Sequence, residues 1–309
     1  MILEAVKDLF YINKAKNSQI PPFSIHLNDI KPNKVDKLKA NVEKLHLHYP
    51  EFGELHYSSN DYCAEISNLI KLLPTLNNEK VFIFIDPYKY KHIKSSQIKA
   101  LMRNKNAEVL LWLPTQFMYR FSENGTPEAL HDFIQELTPY KEWKVNDSVW
   151  KFVNQLREGF EAFMGDEFFV DHFSIEKDQS TIFCLYFFTS HIKGFEKILE
   201  AKWEVDSDFG KGWTYEKSIN LFSNLAVNEF ETQLINYLRD GPRTNAEIYK
   251  FTLKKGHLTK HTTEIFNNLQ EQNRLIINRK DGGSNRKGAF YINYQSYRNE
   301  PDKVVFRVR

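Results

Sequence analysis

The chain has 309 residues, 41% of them hydrophobic and 27% charged, with a formal net charge of +2. That is enough chain for two domains, and it excludes a disordered polyelectrolyte or a fibrous repeat. No apolar run approaches the roughly 18 residues of a membrane span, and "ILEAVKDLF" lacks a signal peptide's basic flank and cleavage site, so the expected location is the cytoplasm. Cys63 and Cys184 both sit in apolar stretches, without metal spacing or a disulfide framework, and read as buried thiols.

Residues 2–15 read as a helix. Strand-like runs follow at "FSIHLND" (23–29), "GELHYSS" (53–59), "KVFIFID" (80–86) and "AEVLLWLP" (107–114). Helical patterns separate them at 33–47, 62–73 and 95–103; in the first, Val35, Leu38, Val42 and Leu45 recur at three- and four-residue spacing. This alternation predicts a parallel α/β sheet with right-handed crossovers. An insertion rich in Pro, Trp and charge (114–147) leads to a helix over 148–164. Two strands joined by "EKDQ" (167–175 and 180–191) predict an antiparallel pair, and 194–203 a closing helix.

The remainder changes character. From Leu221 onward there are 15 Lys and Arg against 9 Asp and Glu, whereas the first 220 residues hold 27 against 31. A basic module on a mildly acidic body suggests a polyanion partner. Residues 228–242 read as an amphipathic helix stopped by Gly241-Pro242. Thr244 and Glu247 have capping-box spacing for a short helix through Phe251, which Gly256 breaks. A third helix (258–275) directs Leu258, Thr262, Ile265 and Leu269 inward and offers Lys260, His261, Thr263, Asn267 and Asn268 outward. Residues 275–293 read as a hairpin whose tip carries Arg279, Lys280, Arg286 and Lys287. Three helices and a basic hairpin are the plan of a winged helix-turn-helix, in which the third helix enters the major groove and the wing meets phosphates. The strand-like "KVVFRVR" (303–309) has no assigned partner.

Taken in order, the first 205 residues resemble class I S-adenosylmethionine-dependent methyltransferases, a Rossmann-like α/β fold. Within these, "FIDPYKYKHI" and "FFTSHIKGFEKILEA" are similar to the "FIDPFG"-type loop and terminal "T-x-H-x-x-G" of the three-Cys-motif partner proteins, TcmP. The resemblance implies S-adenosylmethionine as cofactor, with Asn28 and Asp29 at the ribose and Asp61 at the adenine. It implies catalysis on a nucleic-acid base by Asp86, Pro87 and Tyr88: the acid accepts from an exocyclic amine, the proline fixes the turn, the aromatic stacks on the extruded base. Asp-Pro after a strand is also ordinary turn chemistry, and Asp61 has the position of a helix cap. Lys89 stands where the family has glycine.

The family's first strand and glycine-rich loop have no counterpart here, since the first glycine is Gly53. A later-than-true start, a strand supplied by a second polypeptide, or a rearranged sheet would each account for that. The expected organisation is a methyltransferase-like domain over 1–215 and a winged helix over 225–309. Two functions stay open: a TcmP-like methyltransferase delivered to DNA or RNA, or a degenerate methyltransferase fold serving as a nucleic-acid- or protein-binding subunit of a larger complex. The family's company further suggests a three-Cys-motif, radical-SAM-like protein partner and a role in phage defence. No residue spacing suggests a metal site.

Overall fold

The computed structural model describes residues 2–18, 23–87, 94–121, 128–137, 148–178, 181–207, 210–214 and 224–309. By its contacts the chain divides into residues 1–72 and 73–309.

The first unit runs α1 (Ile2–Ala15), β1 (Phe23–Asn28), α2 (Pro32–Lys44), β2 (Gly53–Ser58) and α3 (Tyr62–Leu72). β1 and β2 pair in parallel, Phe23 opposite Gly53 through Asn28 opposite Ser58. Gly53 has φ 128°, and a Cβ there would lie 1.8 Å from the Phe23 carbonyl oxygen, so only glycine lets the strands meet. Phe52 is buried beneath Phe10 of α1, ring centroids 4.8 Å apart. Val35 and Val42 of α2 and Ile66 of α3 add to this small core. Cys63 corrects the buried-thiol reading: it stands exposed in the first turn of α3.

The second unit holds β3 (Val81–Ile85), α4 (Ser95–Met102), β4 (Ala107–Leu113), α5 (Thr115–Arg120), α6 (Glu128–Leu137), α7 (Val149–Met164), β5 (Phe169–Asp178), β6 (Thr181–Thr189), α8 (Ile192–Val205) and β7 (Gly212–Thr214). Its sheet order is β3-β4-β6-β5-β7. β3 and β4 are parallel, β6 is antiparallel to both β4 and β5, and β7 is parallel to β5. The predicted antiparallel pair is therefore present, with β6 inserted between β4 and β5. One face of β4 and β6 is covered by α7: Val109, Leu111, Leu113, Tyr186 and Phe188 are fully buried, with Phe160 of α7 against the Tyr186 and Phe188 rings. Among the described residues of the 114–147 insertion are two helices, α5 and α6, that its mixed composition concealed.

The expected single parallel sheet is two ladders. Among the described residues β1 pairs only with β2, and β3 pairs only with β4. A strand joins a sheet only when another lies beside it at hydrogen-bonding distance, and no described strand fills that place next to β1 or β3.

The C-terminal part of this unit is α9 (Asn224–Arg239), β8 (Arg243–Thr244), α10 (Asn245–Lys254), α11 (Thr259–Glu271), β9 (Leu275–Arg279), α12 (Tyr294–Asn299) and β10 (Val304–Val308). The capping box forms as read: the Glu247 N–H donates to Thr244 Oγ1 (3.2 Å) and the Thr244 N–H to Glu247 Oε2 (2.8 Å). The wing differs from the predicted hairpin. Only β9 is a strand, and it pairs with β10, Leu275 opposite Val308 through Arg279 opposite Val304. The other predicted arm passes through Gly288 (φ 78°) and Tyr291 (φ 54°), left-handed positions that break a ladder. Asn245, fully buried, replaces those bonds. It donates to the carbonyls of Tyr291 and Glu300 and accepts from the Val304 N–H.

This winged helix is not tethered loosely. Phe230, Leu234, Leu253, Phe266 and Phe306 belong to one apolar cluster with Phe169 of β5, Phe187 of β6, and Phe195 and Leu199 of α8. Trp203 of α8 donates to the Gly256 carbonyl (2.8 Å) and lies 4.3 Å from the His261 ring.

Candidate functional site

The candidate catalytic strand ends as predicted. β3 stops at Ile85; Asp86 is exposed and Pro87 half-buried, while Tyr88 lies outside the described residues. Asp86 has no hydrogen-bond partner among the described residues. The "T-x-H-x-x-G" stretch has a structural use. Thr189 Oγ1 donates to Glu108 Oε1 (2.9 Å) and accepts from the His191 N–H (3.0 Å). A Cβ on Gly194 would sit 2.1 Å from the same Glu108 oxygen. These residues join β6 to α8 and seat that joint on β4.

The candidate cofactor residues come together at the C-terminal ends of β1 and β2, where local bonds engage them. Asn28 Oδ1 accepts from Ser58 Oγ (2.7 Å) and the Asn60 N–H (2.9 Å), and its amide donates to the Asn60 carbonyl. Asp29 accepts from the Lys31 N–H (2.9 Å) and from Lys34 (3.2 Å); the Lys31 bond chiefly holds its carboxyl below the usual range. Asp61 accepts from the Cys63 N–H at the start of α3 (2.8 Å). These are turn and cap contacts, and Gly53 spends its freedom on strand packing.

The winged helix presents a different picture. Along α11, Lys260 and Asn268 are exposed and Asn267 is half-buried, all on the side away from Ile265, Phe266 and Leu269. His261 corrects the outward face. It is buried against Trp203, and its Nδ1 accepts the Leu258 N–H (3.1 Å), closing the first turn of α11. Burial pushes its pKa down to about 4. At the wing, Arg286 and Lys287 are exposed, with Lys287 3.6 Å from Glu271. Arg279 is forked onto Asp281 and Lys280 is paired with Asp302, so these two cations are already compensated. The Gly288 N–H donates to Gln270 (3.2 Å), tying the wing loop to α11.

Sequence reasoning missed one polar cluster. Asp171 of β5 and Lys202 of α8 form an ion pair, each more than nine-tenths buried. Burial, the largest single influence, would raise the Asp171 carboxyl, but the Lys202 charge and hydrogen bond together with the His172 contacts outweigh it and the pKa is lowered. His172 lies alongside, its Nδ1 3.9 Å from Asp171. Burial, aided by the Lys202 charge, pushes His172 down to about 3, so it is neutral and adds no charge of its own. The cluster borders a cleft of about 680 Å³ between α7 and β5 on one side and α9 and α10 on the other. No local spacing marks such a site, because its members come from distant elements.

Three helices, a β8-β10-β9 sheet and a loop tied to the third helix define a winged helix-turn-helix domain. The family model described as "GMT-like wHTH domain" matches residues 211–282, which this chain is similar to over that span. Comparisons with curated proteins and with solved structures return no match. No helix among the described residues is long and apolar enough to cross a membrane.

Proposed function

We propose that this protein binds nucleic acid through its winged helix, carried on a methyltransferase-like α/β body that acts as scaffold. The observation that carries the reading is the outward face of α11. Lys260 and Asn268 are exposed there, Asn267 is half-buried, and the wing loop bearing Arg286 is bonded to the same helix. Amide side chains read base edges, while Lys and Arg hold phosphates. Lys280 and Arg279 contribute less, because Asp302 and Asp281 already pair with them. Fluorescence anisotropy of the full chain with duplex DNA, duplex RNA and single strands tests this. Binding to at least one, weakened by Lys260→Glu and Asn268→Ala, is expected; no binding to any at low salt overturns it.

A second reading, TcmP-like base methylation, is favoured by the order β3-β4-β6-β5, with the antiparallel β6 between its neighbours. That order is similar to the second half of a methyltransferase sheet, and Asp86-Pro87 follows its β3. In this reading Asp86 orients the target amine and Tyr88 stacks on the base. Calorimetry with S-adenosylmethionine separates the two readings. The scaffold reading predicts no binding; micromolar binding favours methylation, with a three-Cys-motif protein then the partner to try first.

A further inference from the structure

The cations along β9 and β10 fall into two groups. At the wing end each has an acid beside it: Arg279 with Asp281, Lys280 with Asp302 and Lys303 with Glu300. At the other end stand Arg274, Arg307 and Arg309. None of these three has a carboxylate side chain within ion-pair distance among the described residues, and the Arg274 guanidinium donates only to the Gln272 amide oxygen (3.1 Å). The ladder sets all three on one face. Residues opposite each other on antiparallel strands point to the same side, and successive residues alternate. Arg307 lies opposite Ile276, and the Arg309 N–H donates to the Arg274 carbonyl (3.0 Å), which carries the ladder one residue further. Leu275, Phe306 and Val308 take the alternate positions and are buried. Arg274, Ile276, Arg307 and Arg309 therefore share the outer face, where Arg307 and Arg309 are exposed and Arg274 is half-buried.

Like charges on neighbouring strands repel. The terminal carboxylate on Arg309 offsets one of the three, and the face stays cationic. An outside anion relieves that repulsion, and guanidinium forks meet phosphate oxygens two at a time. This face is not the α11 surface. Phe266 on the inner side of α11 meets Phe306 on the inner side of β10, ring centroids 4.8 Å apart. Helix and sheet pack as two layers over one core, so their outer faces look away from each other. Nucleic acid seated on Lys260 and Asn268 leaves the three arginines uncovered. We infer that the outer face of β9 and β10 holds the phosphate backbone of a stretch of nucleic acid of its own, separate from the one on α11. The choice of nucleic acid as the anion rests on the reading of α11 given above.

Calorimetry of the full chain with a short DNA duplex and a short RNA strand, each the length of one site, tests this. Two probe molecules per wild-type chain are expected. The Arg307→Glu, Arg309→Glu double variant, changed only at exposed positions, keeps its melting temperature and binds one. Affinity at the site it loses falls by about tenfold or more, as charge-assisted contacts are removed. The Lys260→Glu, Asn268→Ala variant loses the other site and keeps this one. If that variant behaves as wild type while the arginine variant loses all binding, the α11 reading fails and the arginine face stands. Binding that the arginine variant leaves unchanged overturns the inference. So does a single probe molecule per chain that both variants weaken, since one stretch then spans both faces. Capture of polyglutamate but neither nucleic acid through these arginines also overturns it, and assigns the face to an acidic protein.

Discussion

Residues 1–72 and residues 73–309 alternate strand and helix in the same way, yet their strands rest on different amounts of protein. β4 in the second unit buries Ala107, Val109, Leu111 and Leu113 and has ladder partners on both sides. β1 in the first unit has no fully buried residue and a single partner among the described residues. Ile2, Leu9, Ile12, Ile30, Leu38 and Leu45 of that unit are all exposed. An apolar alternation in sequence therefore fixes which face of a strand is covered, not how many neighbours the strand has. A sheet of two strands is marginal on its own, whereas the second unit closes one core over its sheet and its winged helix.

Separating the two units gives the largest expected effect. A fragment of residues 73–309 should unfold cooperatively on heating, and a fragment of residues 1–72 should show no cooperative transition by circular dichroism. A sharp transition in the small fragment would remove the contrast. Next in size is the buried ion pair of the second unit. Lys202→Ala strands the Asp171 carboxylate and should cost about 3 to 5 kcal/mol by urea denaturation. Replacing both at once with Met and Leu should cost less than Lys202→Ala alone, because no buried charge is then left over.

A smaller effect follows from the neutral histidines. His172, His257 and His261 have pKa values pushed down to about 3, 3 and 4, against 6.5 for the free side chain. Between these values the unfolded chain binds protons that the fold cannot, so stability is full above pH 6.5 and falls as pH drops toward 4. Urea midpoints measured from pH 7 downward should show this decline, and His257→Gln should make it shallower. A midpoint that rises on acidification would contradict the buried, neutral state.

Local chemistry was legible in the sequence. Thr244 and Glu247 announced a capping box, Gly241-Pro242 and Gly256 marked helix ends, and "VFIFI" and "AEVLLWL" showed two strands, although in the first only Ile83 and Ile85 are buried and Phe82 and Phe84 are exposed. The hidden parts depend on partners far along the chain. Nothing near Leu275 indicates that its strand will pair with Val308, nor that Asn245 will hold the wing's other arm. His261 has an outward position by helical count, but Trp203 of α8 covers it and the Leu258 N–H claims its nitrogen. Thr189, His191 and Gly194 were readable as a motif. Their use became clear only when β4 brought Glu108 beside them. Asp171 and Lys202 had no signal at all, since an ion pair between a strand and a later helix leaves no spacing to read.

The central claim is that the exposed wing cations beside α11 hold phosphates, and the salt dependence of binding by the Arg286→Glu, Lys287→Glu double variant tests it most directly. The wild-type protein should lose affinity steeply as salt rises, and the variant should bind more weakly with a slope shallower by about 2, one for each lost phosphate contact. An unchanged affinity and slope would contradict the claim and assign the winged helix to a protein partner.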